Sequence, residues 1–242
     1  MNSLRASRPK QCLGGLFLCF AFAFAREARG QCLSQQIAWW SGDGTAEDVT
    51  GPHEGTLKNG AVFGPGRSGL AFQLDGVDDY VEVSDAPGLN FDGKVQSFTV
   101  AAWIFRRSGG TPHVIYDKST PGPPFIGYRL AIVGDHVILR TDDFRNLAFN
   151  CGEGQGAVVS PNTWHHVAGV FSPGLSRVYL DGILQTSCNY PGAGQFQNNV
   201  KPWIGAFTSA TGGFFNGVLD DVRIFGTALS DTDVKALAKP CA

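Results

Sequence analysis

The chain has 242 residues, and 19 Lys and Arg against 21 Asp and Glu give a net charge of −2. With no basic block it lacks the clustered cations that a phosphate backbone requires, so nucleic acid is excluded as an expected partner. Its 32 Gly and 13 Pro against a single Met describe a turn-rich chain, and short β-branched and aromatic runs between Gly, Pro, Asn and Asp clusters describe an all-β one.

Arg5, Arg8 and Lys10 precede an apolar run from Cys12 to Ala25. That run is shorter than the roughly 20 residues a bilayer span needs. Small residues stand at its end and beyond: Ala23 and Ala25 fit one cleavage site, Ala28 and Gly30 a later one. Residues 1–30 therefore read as a signal peptide cleaved after Gly30, leaving Gln31 first and the product secreted. No other apolar run is long enough for a membrane, so no stable membrane insertion is expected. Residues 31–242 suit one large β-sandwich.

Strands are expected at Ile37–Trp40, Ala71–Leu74, Tyr80–Val83, Phe98–Arg106, His113–Asp117, Tyr128–Val133, His136–Thr141, Trp164–Phe171, Ser176–Leu180, Ile183–Ser187, Trp203–Ala206 and Val218–Phe225. In Phe98–Phe105, Phe98, Val100, Ala102 and Ile104 share one face, while Thr99, Ala101, Trp103 and Phe105 share the other. Both faces are largely apolar, which marks a central strand covered on both sides. Asp181-Gly182 and Gly134-Asp135 are hairpin turns. The one convincing helix is capped by Ser230, has Asp233 three residues on, and carries an apolar stripe of Val234, Leu237 and Ala238 before Pro240. Cys12 and Cys19 leave with the signal. Cys32, Cys151, Cys188 and Cys241 stay, an even set that reads as disulfides with three pairings open.

Five segments in order carry a resemblance. AWWSGDGTAEDVTGPHEGTLKNGA, GRSGLAFQLDGVDDYVEV, SFTVAAWIFRR, NTWHHVAGVF with VYLDGILQ, and GVLDDVRIFGTALSDTDVKAL together resemble the laminin-G-like domains of the concanavalin A-like lectin/glucanase jelly roll, from Ala38 to Leu237. The resemblance implies a two-sheet antiparallel sandwich with one short C-terminal helix. It also implies that the first and last strands are neighbours, which pairs Cys32 with Cys241 and leaves Cys151 for Cys188. It implies a structural Ca²⁺ held by Asp220, by Asp48 in the first loop, and by the Gly51 carbonyl. Strict alternation places Asp220 with Val218, Val222 and Ile224, so this carboxylate needs a cation or several donors.

No catalytic centre is expected. His165 and His166 are adjacent on a strand and face apart. No G-x-S-x-G elbow is present. The E-x-D-x-x-E motif of the related glucanases is also missing. The pairs Asp78-Asp79, Asp142-Asp143 and Asp220-Asp221 read as turn residues or as part of the calcium loop. Trp39 and Trp40 face opposite ways, so one packs inside. Trp203, Phe207, Phe214 and Phe215 lie near loops; such rings fill cores in the first place, and where exposed they stack on sugars. The expected role is a secreted, non-catalytic binding or adhesion module for a glycan or an extracellular protein. A structural surface component and a polysaccharide-active enzyme with an unfamiliar site are the alternatives.

Overall fold

The computed structural model describes residues 36–108, 112–143, 148–190, 194–209 and 211–239. The signal segment, Cys32 and Cys241 lie outside the described residues, as does Pro240. In chain order the strands are β1 (Gln36–Trp40), β2 (Gly55–Lys58), β3 (Val62–Pro65), β4 (Leu70–Asp75), β5 (Tyr80–Val83), β6 (Phe98–Arg106), β7 (His113–Ser119), β8 (Gly127–Val133), β9 (His136–Asp142), β10 (Ala148–Cys151), β11 (Trp164–Ser172), β12 (Leu175–Leu180), β13 (Ile183–Asn189), β14 (Trp203–Ile204) and β15 (Asn216–Phe225). Among the described residues one α-helix, α1 (Asp231–Leu237), closes the series. Every strand pairing is antiparallel. One sheet runs β13-β12-β11-β6-β15-β4-β3, with β1 also on β15; the other runs β10-β9-β8-β7-β14-β5-β2.

The core lies between the sheets. Phe98, Val100, Ala102 and Ile104 of β6 enter it together, as alternation requires. Phe98 sits among rings, with centroids 4.6 Å from Tyr128, 4.9 Å from Phe91 and 5.3 Å from Phe171. The other face of β6 is covered too: Ala101 joins Ala168, Val170, Tyr179 and Phe225 under Val234 and Leu237 of α1. The central-strand expectation therefore holds on both faces. Ser230 caps α1 in a reciprocal box with Asp233, as its sequence signature indicates.

β1 pairs with β15, so the first and last strands are neighbours. Trp40 is fully buried and donates to the His53 carbonyl at 2.7 Å, while Trp39 lies on the opposite face with the Arg223 guanidinium 4.4 Å from its ring centroid. The face assigned to Asp220 needs correction. Leu219 pairs with Ile104 and Asp220 with Trp103, but the register then shifts before Arg223 meets Ala101. Asp221, at φ 51°, is the extra residue of this bulge. Leu219, Val222 and Ile224 face the core, whereas Asp220 points outward beside Trp103. Alternation fails here because a bulge adds one residue and reverses the side-chain parity beyond it.

Cys151 and Cys188 form a disulfide with Cα atoms 5.7 Å apart, as the sequence reading expected. Cys151 ends β10 and Cys188 lies in β13, the edge strands of the two sheets on that side.

Candidate functional site

The outer face of the seven-stranded sheet carries a row of polar and aromatic side chains. In β8, Tyr128, Leu130 and Ile132 point into the core, so Arg129 points out; in β9, Val137 and Leu139 point in, so Arg140 points out. Cross-strand register then links Thr56 to Glu82, Glu82 to Trp203, Trp203 to Asp117, Asp117 to Arg129, Arg129 to Arg140 and Arg140 to Asn150. One residue from each of seven strands therefore stands in a straight line. Strands about 4.8 Å apart make this line long enough for several sugar units.

The row is tightly bonded. Arg129 Nη2 donates to Asp117 Oδ2 at 3.0 Å and to Ser119 Oγ at 2.9 Å. Ser119 Oγ donates to Asp117 Oδ1 at 2.5 Å, and the Thr208 N–H donates to Asp117 Oδ2 at 3.0 Å. Arg140 Nε donates to Asp142 Oδ2 at 2.7 Å. Rings flank these groups. Phe207 lies under the Arg129 guanidinium at 4.3 Å, and the exposed Phe125 lies 5.9 Å from that of Arg140. Trp203 stacks on Tyr80 with centroids 3.9 Å apart. Of the loop aromatics singled out in the sequence, Trp203 and Phe207 reach this face, while Phe215 is core. Asp142 is not a turn residue: it is the last residue of β9 and faces outward with Arg140. Sequence reasoning passed over Asp117, Arg129, Arg140 and Asn150. The signal was a charged or polar residue set between inward-facing apolar ones, as Arg129 is between Tyr128 and Leu130.

Asp48 and Asp220 occupy two separate settings. Asp48 Oδ1 accepts from the N–H of Trp39 and from the N–H and hydroxyl of Thr50, each at 2.9 Å, while Oδ2 lies 2.6 Å from His53 Nδ1. Burial pushes this carboxyl up, but His53, Trp39 and Thr50 together hold it below its ordinary value. Gly51 packs against Asp48 Oδ2 and the His53 ring. Asp220 Oδ2 accepts from the N–H groups of Arg67 and Ser68 at 2.7 and 3.1 Å. Gly66 makes that approach possible, since a Cβ there would fall 2.7 Å from Oδ2. Asp48 thus has little acceptor capacity left for a cation. A different acidic set could hold a metal ion: Asp75, Asp78 and Asp79, at the β4–β5 turn, bring carboxylate oxygens within 4.8 Å of one another.

His165 and His166 face apart, as expected. His166 is buried, edge-on to Trp103 at 5.4 Å, and burial with the Arg223 charge pushes its pKa down to about 3. His165 links Ser160 Oγ (2.9 Å from Nε2) to Asp181 Oδ2 (2.8 Å from Nδ1). That is the bonding order of a serine triad. Asp181, however, sits in the Asp181-Gly182 turn and accepts the His166 N–H at 2.9 Å, so the chain pins that hairpin to the start of β11.

Residues 75–235 match the family model described as the concanavalin A-like lectin/glucanases superfamily. No curated protein matches the sequence. Among solved structures, the chain resembles domain 4 of AbnA, a GH43 extracellular arabinanase from Geobacillus stearothermophilus, in complex with arabinotriose. That match has a TM-score of 0.69 and 19% identity, over 85% of this chain and 98% of that one. It also resembles the binding domain of botulinum neurotoxin DC in complex with rat synaptotagmin II (TM-score 0.66, 17% identity, 84% of this chain and 51% of that one). A third match is botulinum neurotoxin type C, whose cell entry depends on two ganglioside molecules (TM-score 0.66, 15% identity, 90% and 52%). The chain spans about half the length of these neurotoxin chains. At such identities the likeness is one of fold.

Proposed function

The chain belongs to the concanavalin A-like lectin/glucanase superfamily, and from that premise we propose that it is a secreted, non-catalytic binding module that takes a glycan on the outer face of the seven-stranded sheet. The observation that carries this reading is the row from Thr56 to Asn150, which combines hydrogen-bonding groups with the rings of Trp203, Phe207 and Phe125. Sugars are bound by such pairings of polar groups with ring faces. The arabinanase domain and the ganglioside-dependent toxin support a glycan by analogy of fold, which is a weaker warrant than the face itself. The disulfide fits an oxidising, extracytoplasmic setting. Among the described residues no helix is long and apolar enough to cross a membrane.

A glycan-array screen of the purified protein tests the proposal, followed by calorimetry on Trp203→Ala. We expect binding by the wild type and a loss of about tenfold or more in the variant, with the fold intact. Product release from a polysaccharide panel would instead establish an enzyme. A protein ligand is the second reading. It is favoured by three exposed apolar residues, Ile183 and Leu184 of β13 and Val158, in segments joined by the hydrogen bond from the Ala157 N–H to Gln185. Ile183→Glu should leave glycan binding intact and weaken only a protein partner. As for calcium, we propose that a cation, when bound, sits at Asp220 or at the Asp75, Asp78 and Asp79 set, because Asp48 is already saturated by its own donors.

A further inference from the structure

The two arginines of the row are neighbours across β8 and β9, yet each already has its own carboxylate. Asp117 and Asp142 are 0% and 2% exposed. Each arginine's charge is therefore already offset, and a ligand carboxylate or sulfate would meet the charge of the buried aspartate beside it. A hydroxyl group faces no such conflict, since it donates and accepts at once.

Three buried polar atoms at this end of the row have no partner: Arg129 Nε, Asp142 Oδ1 and Asn150 Oδ1. Asn150 Nδ2 is already bonded to Glu153 at 2.8 Å, so its free atom is the acceptor. One donor and two acceptors thus stand on three consecutive strands, on one face. Leaving such groups unpaired is costly, which favours a ligand that can pair with them. Beside them, Phe125 is 38% exposed and offers a ring for the apolar face of a sugar. Arg140, with a side chain 24% exposed, is the member of its ion pair that solvent reaches.

Resting on the glycan reading above, we infer that the ligand is a neutral, hydroxyl-rich glycan and that the β8–β9–β10 end of the face reads its hydroxyl groups. Neutral probes (arabinotriose, xylan and glucan oligosaccharides) and anionic probes (polygalacturonate, sialylated and sulfated oligosaccharides) should be titrated calorimetrically into the full chain at low and high salt. The expected result is binding of a neutral probe with less than about twofold change across the salt range, since no net charge is screened. Asn150→Ala and Asp142→Ala should each weaken it by about tenfold or more. Asp142→Ala strips Arg140 of its partner, so Asn150→Ala, checked by an unchanged melting temperature, carries the test if the first variant does not fold. Binding confined to anionic probes and suppressed by salt would overturn this inference while leaving the glycan reading standing. Undiminished neutral binding in a folded Asn150→Ala would overturn the placement of the subsite. A folded wild type that binds no probe of either class would overturn both readings.

Discussion

A carboxyl that is 1% exposed and stands beside Asp221 has two reasons to keep its proton, burial first and like charge second, and Asp220 is accordingly pushed up to about 7. The folded state then binds that proton more tightly than the unfolded chain, whose carboxyl titrates near 4. Asp220 therefore favours folding at acid pH, and its contribution is lost as pH rises from about 4 through 7. At 1.36 kcal/mol per pH unit the upper limit is about 4 kcal/mol. In EDTA, the melting temperature should fall between pH 4 and 7 more steeply in the wild type than in Asp220→Asn, which keeps an oxygen for the Arg67 and Ser68 N–H groups. Equal slopes would show that Asp220 is ionised in the fold at neutral pH. The calcium proposal runs through the same atom with the opposite sign, because a bound Ca²⁺ favours the ionised carboxylate. At pH 7, saturating Ca²⁺ should raise the melting temperature of the wild type, by about 2.7 kcal/mol of stability at a hundredfold excess over Kd. Either Asp220→Asn or Asp78→Asn should blunt the rise, and which one does so locates the ion. Asp48→Asn should lower the melting temperature by the same amount with and without EDTA, since its oxygens serve Trp39, Thr50 and His53. A melting temperature indifferent to Ca²⁺ and EDTA alike would remove calcium from the account.

At the scale of elements, α1 is the short piece whose placement matters, because Val234 and Leu237 cover the outer apolar face of β6, β11 and β15. A helix of seven residues is marginal on its own, so it depends on that packing and on its cap. Ser230→Ala removes the hydroxyl half of the capping box, leaving the N–H of residue 230 on Asp233, and should cost about 1 kcal/mol, or about 2–4 °C in melting temperature. Calorimetry showing no shift would mean that packing alone holds the helix. This cap was legible in the sequence because its signature is local. So were the two-residue turns at Gly134-Asp135 and Asp181-Gly182, whose four residues all take positive φ and whose flanking strands pair across them. The three strands missed in the sequence, β2, β3 and β10, are all sheet edges. Edge strands are short and need no continuous apolar run, so GTLK, VFGP and AFNC carry no strong period. The binding row was illegible for another reason. Each strand reveals its outward polar residue, but only the register aligns Trp203, Asp117, Arg129 and Arg140 across four strands, and register between distant segments is not written in either segment alone. The bulge at Asp221 likewise left no mark that alternation could read.

Taken whole, the molecule is two sheets joined mainly by a shared apolar core, and Cys151–Cys188 is a covalent tie between their edges on one side. The bridge closes a loop with a sequence separation of 37 residues. Loop-closure models give roughly 4 kcal/mol for a loop of that size, with a model-dependent division between entropy and enthalpy. The loop contains β11, β12 and most of β13, so the unfolded chain loses freedom over a substantial part of one sheet. The Cys151→Ala, Cys188→Ala double variant should therefore melt several degrees lower than the wild type while keeping its fold, since the core is not cut. We propose a second tie, Cys32–Cys241. The basis is that β1, beginning at Gln36, pairs with β15, which α1 follows directly and which ends at Phe225. Each cysteine lies a few residues beyond these elements in sequence. A bridge there would close nearly the whole chain, where the same models give roughly 4–5 kcal/mol. Non-reducing peptide mapping of exported protein should recover two linked peptides, Cys151 with Cys188 and Cys32 with Cys241, and N-terminal sequencing should begin at Gln31. Reduction of the double variant should then lower its melting temperature further, because the second bridge remains to be broken. A Cys32–Cys151 peptide, or a reduced double variant that melts where the oxidised one does, would show that the chain ends are not tied.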